Sequence, residues 1–141
     1  MINLVIVSIF IGSFIVTSYR STVSQTDKTP YRTSINEKVH VDGIAVHPSL
    51  LCAVAKVKMK GNNFKLCKRN LKGCDLSKIH YKDTIFIEQI GFKVVNDVMA
   101  SKTKMNSMFD VWVPNLETEQ QHHKKFKSKK LKVWIIMEKQ K

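Results

Sequence analysis

Asp97 and Asp110 each close or interrupt a short apolar run, Val94-Val95-Asn96-Asp97 and Phe109-Asp110-Val111-Trp112-Val113. β-Branched and aromatic residues dominate both runs, so both read as strands. A polar crossing, 98–109, joins them through Ser101, Lys102, Thr103, Lys104, Asn106 and Ser107. Two carboxylates on two joined strands are a way to set two acids side by side in one groove. Breaking a glycosidic bond needs a proton on the leaving oxygen. A carboxyl group supplies it if burial or a second carboxylate raises its pKa, and glycoside hydrolases generally work with such a pair. The competing reading is structural: aspartates at strand ends commonly cap turns, and Asp110 would then fix the crossing through backbone N–H groups.

The elements that position these acids follow from local patterning. Residues 83–92 read as a strand and a turn at Gly91, making a hairpin whose second strand delivers Asp97. Asp42-Gly43 favours a turn, after which Ile44-Ala45-Val46 reads as a further strand. Residues 14–19 end in Thr-Ser-Tyr, a strand signature, and 131–137 read as the last strand. Residues 115–125 read as a helix or turn segment, with Asn115 as its cap, acids early and bases late.

Composition suits one domain: 141 residues with 43% hydrophobic content. The formal net charge of +13 attracts polyanions, whether nucleic acid, anionic lipid or acidic wall polymers. Lysines crowd 56–72, where a solvated basic loop is favoured over a polyanion-contacting arm because Phe64 is the one aromatic there. The three cysteines, Cys52, Cys67 and Cys74, leave at least one unpaired in a monomer and lack a close metal-binding pair. His122 and His123 are adjacent and do not share a helix face, so no metal site is expected. Residues 1–13 are apolar but short of a bilayer span and read as a secretion signal or anchor, with the domain over 14–139. Trp112 and Trp134 sit in apolar strands, where core packing is the default.

The order of these motifs resembles the three-aspartate domain, a double-psi β-barrel of cell-wall-active proteins. The barrel is similar to that of membrane-bound lytic transglycosylase A and, more distantly, of expansin and rare-lipoprotein-A proteins. The resemblance rests on Asp97, the 98–109 loop, Asp110-Val111-Trp112-Val113 and the closing Lys130-Leu131-Lys132-Val133-Trp134-Ile135-Ile136. Upstream it takes in Val16-Thr17-Ser18-Tyr19, Gln25 to Pro30, and Gly43 to Leu51. It implies an all-β fold, a single six-stranded double-psi barrel with one short helix. It implies Asp97 as proton donor and Asp110 as its neighbour. Thr17, Tyr19, Asp27 and Thr33 would line the groove, with His47 standing where the family carries its first aspartate. The implied activity is lytic cleavage of peptidoglycan, giving a 1,6-anhydro end, by a secreted or envelope-held monomer. No cofactor and no metal are implied. Partners would be peptidoglycan or another polysaccharide and anionic wall polymers. The residues leave a second reading open, a barrel that binds glycan without cutting it. A basic nucleic-acid-binding domain is the least favoured, since the aromatics look scattered along the sequence.

Overall fold

The computed structural model describes residues 4–22, 38–51, 78–99 and 108–140. The lysine-rich segment, the three cysteines and most of the 98–109 crossing lie outside these residues. Six strands close into a barrel, β1 (Leu4–Tyr19), β2 (Gly43–Val46), β3 (Thr84–Ile87), β4 (Gly91–Val98), β5 (Met108–Trp112) and β6 (Lys130–Gln140), with one helix, α1 (Leu116–Phe126). Around the barrel the order is β1-β5-β2-β4-β3-β6. The pairs β1/β5 and β2/β4 are parallel and the other four are antiparallel. The expected all-β barrel with one short helix is what the chain forms.

Alternation along each strand sorts side chains between the interior and the outer face. On β5, Phe109 and Val111 turn inward; on β6, Leu131, Val133 and Ile135 do the same. They meet Ile44 and Val46 of β2, Ile85 and Ile87 of β3 and Val95 of β4 in one continuous core. Phe14 stands edge-on to Phe109 at 5.0 Å inside it. The tryptophans depart from expectation: Trp112 and Trp134 take the outward positions of β5 and β6 and are half-buried there. Each is flanked by inward residues, Val111 for Trp112, and Val133 and Ile135 for Trp134, so strand alternation keeps them out of the main core, while Trp112 packs against the smaller buried cluster of Tyr19, Ala45 and Met99.

β1 is the long spine of the barrel. Its first part, from Leu4 to Ile15, pairs with β6, and its last part, from Ile15 to Tyr19, pairs with β5. The strand therefore runs unbroken across the expected boundary between residues 13 and 14. A register shift between Phe10 and Gly12 inserts an extra residue, with Gly12 at φ +132. A side chain at that φ is strained, which is why glycine serves there. Before the bulge, Ile6 and Phe10 point outward; beyond it, Phe14 and Val16 point into the core. The bulge thus reverses the phase of the strand and sends Thr17 and Tyr19 to the face turned away from the core.

The hairpin of β3 and β4 forms where the Gly91 turn was expected, with Ile87 opposite Gly91. The helix begins after Asn115, whose side chain accepts from the Thr118 N–H in a capping box. Acids lie in the first turn and His123, Lys124 and Lys125 in the last, as the helix dipole favours. Phe126 packs into the core and His122 Nε2 lies 2.9 Å from the Val16 carbonyl oxygen. That contact docks α1 on the part of β1 that β6 has left.

Candidate functional site

The antiparallel β2/β5 pair and the parallel β2/β4 pair bring Asp110 and Asp97 to either side of one small residue. Ala45 of β2 is the register partner of Asp110 on β5 and of Asp97 on β4. Thr17 of β1 is in turn the partner of Asp110. Directly opposed residues share a face, so Thr17, Asp110, Ala45 and Asp97 form one row across four strands. Neighbouring strands lie about 4.8 Å apart, which puts the two aspartate backbones about 10 Å from each other.

A second bulge makes this row possible. On β4 the register advances from Val95, opposite Ile44, to Asp97, opposite Ala45, leaving Asn96 as the extra residue. Val95 and Asn96 are both buried. Asn96 lies against Gly43: a Cβ there would stand 2.7 Å from Nδ2 and 2.8 Å from Oδ1. Glycine at 43 therefore opens the space that the Asn96 amide fills, and the bulge turns Asp97 out beside Ala45.

Thr17 Oγ1 is 3.0 Å from Asp110 Oδ1 and 3.2 Å from the Phe109 carbonyl oxygen. A hydroxyl has one proton and two lone pairs. Facing an ionised Asp110, Thr17 donates to the carboxylate. Facing a protonated Asp110, it accepts from the acid and donates to Phe109. Either state of Asp110 is satisfied without movement. Burial pushes the Asp110 carboxyl up to about 7; the Thr17 hydrogen bond opposes this, and the charges of Asp97 and Glu119 add to it. The raised pKa belongs to a group half-buried in surface terms, with low-dielectric protein on most sides.

Asp97 is held differently. Tyr19 Oη donates to its Oδ2 at 3.1 Å, and the Val98 N–H donates to its Oδ1 at 2.9 Å. Tyr19 leaves β1 and reaches Asp97 on β4, so its ring crosses the face between them and packs with Ala45 and Met99. Ala45 is left 4% exposed. Burial, then the nearby Asp97 charge and hydrogen bond, raise the Tyr19 pKa far above the ordinary range, so it stays a donor. The tyrosine ring fills the gap between the two acids.

His47 is buried and caps the short 3-10 turn Pro48–Leu50, its Nδ1 accepting the Ser49 N–H at 3.1 Å. Asp27 and Thr33 lie outside the described residues. Glu119, which the sequence reading did not single out, faces the site from α1 and is bound to Arg20 at 3.3 Å. Nothing in composition separates it from Glu117. Its helical spacing to His122 and Phe126, which both meet β1 or the core, is the signal that places it on the docked face. Between α1 and β1 lies an open groove of about 670 Å³, lined by Thr17, Glu119, His122, Phe126 and others. Thr17 is shared between this groove and the acid row. Among the described residues no cluster of three His, Cys, Asp or Glu is placed to hold a metal ion, and no helix there is long and apolar enough to cross a membrane.

No family model, no curated protein and no solved structure matches the chain. The fold and the acid row therefore carry the functional argument by themselves.

Proposed function

We propose that the protein cleaves glycan strands of peptidoglycan in the manner of a lytic transglycosylase, with Asp110 as the acid and base. The observation that carries this reading is the row that sets a second carboxylate one alanine away from Asp110, a carboxyl that burial pushes up to about 7. A group with that pKa holds a proton to give and accepts it back near neutral pH. Protonated Asp110 gives its proton to the bridging oxygen as the C1–O bond breaks. The O6 hydroxyl of the same sugar then bonds to C1, and its proton returns to Asp110. Atoms balance without water. The Tyr19 ring between the acids supports this one-group scheme over a hydrolase scheme, which needs room for a water beside the second carboxylate. In this scheme Asp97 and Tyr19 position and polarise, and the expected roles of Asp97 and Asp110 are exchanged.

The finer family reading, a three-aspartate double-psi barrel, is part of this proposal. Its support is a closed mixed six-stranded barrel with two parallel pairs. Location in the envelope, where such a substrate lies, and action as a monomer are part of the same proposal. The net charge of +13 favours dwelling on an acidic wall.

The test is product analysis by mass spectrometry after incubation with purified sacculi. We expect anhydro-muropeptides from the native chain and at least a hundredfold loss in Asp110→Asn, the range for removing a general acid. Undiminished release by Asp110→Asn would overturn the assignment. Sedimentation with sacculi and no released product would leave the glycan-binding reading instead.

A further inference from the structure

The barrel carries a second ordered feature, on the side away from the acid row. Phe10 of β1 is the register partner of Trp134 on β6, Trp134 of Phe86 on β3, and Phe86 of Phe92 on β4. Four aromatic side chains thus form a row across four adjacent strands, with centroids 5.5, 5.9 and 4.9 Å apart. They are scattered in sequence, and only strand pairing aligns them. The ends of the row face solvent: Phe10 is 53% and Phe92 61% exposed, and Ile6, two outward positions from Phe10, is 70% exposed. Large apolar side chains gathered on one outer face mark an interaction surface.

We infer that this face seats the protein on an anionic lipid surface. Among the side chains described on β6, the outward ones run Lys130, Lys132, Trp134, Ile136: two exposed cations, an aromatic, then an aliphatic; the next outward position of the strand is Glu138, the register partner of Ile6. At about 3.3 Å per residue, Trp134 stands about 7 Å from both Lys132 and Ile136. An interfacial element has this grading, with aliphatic groups in the acyl boundary, an indole at headgroup level and ammonium groups among phosphates. Lys124, Lys125, Lys127 and Lys129, all exposed, extend the cationic end through the close of α1. Among the described residues Glu88 is an acid at that end, and its carboxylate accepts the Lys132 N–H.

Two other occupants fit less well. Neighbouring rings are tilted by 57°, 49° and 60°, so the row offers no coplanar platform for bases or sugars to stack on. Ile6 and Ile136 flank it, and aliphatics give such rings nothing to stack against. A second copy of this chain would bring +13 against +13, a repulsion that opposes a face-to-face pair, whereas anionic lipid is attracted by each cation.

Flotation of the full chain with vesicles tests the inference. We expect it to float with vesicles of mixed phosphatidylcholine and phosphatidylglycerol, not with phosphatidylcholine alone, and to be released by high salt. Phe10→Ser with Phe92→Ser should lower partitioning by about tenfold or more. Lys130→Glu with Lys132→Glu, at exposed positions, should weaken it if the serine variant does not fold. Brominated acyl chains should quench Trp134, a signal lost in Trp134→Phe. Failure to float with the anionic vesicles, or flotation unchanged in both double variants, would overturn the inference. Binding of an oligothymidylate, or self-association by sedimentation, that is lost in the serine variant while no vesicle binding occurs would overturn it in favour of those partners.

Discussion

Thr17 and Asp110 face each other across the parallel β1–β5 pair, with Oγ1 and Oδ1 3.0 Å apart. The hydroxyl opposes the upward push that burial gives the carboxyl. Removing it should therefore raise the Asp110 pKa above about 7. In Thr17→Val we expect the Asp110 carboxyl carbon, followed by NMR through a pH titration, to change protonation at higher pH than in the native chain. Thr17→Ser should restore the native titration. A titration lower in the valine variant would contradict the role given to the hydroxyl.

Stability should carry the mark of the same carboxyl. Its pKa in the fold, about 7, lies above the 3.8 of an ordinary aspartate. Between these values the folded chain holds a proton that the unfolded chain has lost. The contribution is fully present below the lower value and is lost as pH rises through the upper one. At 1.36 kcal/mol per pH unit the ceiling is about 4 kcal/mol, and water at a half-buried group lowers it. Denaturant unfolding across this window should show stability falling with rising pH. Asp110→Asn should flatten that slope and be the more stable form above it.

Tyr19 Oη donates a hydrogen bond to the Asp97 carboxylate, beside the one from the Val98 N–H. Tyr19→Phe keeps the ring over Ala45 and removes only the donor. We expect a loss of about 1.5 to 3 kcal/mol in urea unfolding, the scale of a hydrogen bond to a charged group. Under the proposed function, glycan release should fall as well, because Asp97 would lose its fixed geometry.

Gly43 and Asn96 are matched by size. A methyl group at 43 meets the amide of Asn96 within 2.8 Å, and both residues are buried. Gly43→Ala should displace the bulge and cost about 1 to 3 kcal/mol, the range for overfilling a packed site. Because the bulge sets Asp97 beside Ala45, the variant should also weaken the coupling of Asp97 to Asp110, seen as an Asp110 titration at lower pH. An unchanged melting temperature would show that Asn96 yields its place without cost.

Much of this molecule was legible along the chain. Period-two patterns around Val95, Phe109 and Val133 marked strands because a barrel buries one face of each. Asn115, followed by acids and then bases, marked a helix because caps and dipoles act within a few residues. Asp97 and Asp110 stood out as acids at apolar strands. Glu119 did not stand out, since its value lies in where α1 docks. The outward aromatic row was hidden because Phe10, Phe86, Phe92 and Trp134 meet only through strand pairing.

By itself the amino-acid sequence determined the element types, the hairpin at Gly91, the helix cap, the basic charge and the two acids worth watching. Those are short-range properties, fixed by propensity, periodicity and side-chain chemistry. The tertiary structure decided which faces the side chains take and which neighbours they meet. An extra residue at Ile11, just before Gly12, and another at Asn96 each reverse the alternation of a strand, and a bulge exists only relative to a partner strand. Those reversals put Thr17, Tyr19 and Asp97 on the face of Asp110, and the burial gathered around that face lifts the carboxyl to about 7.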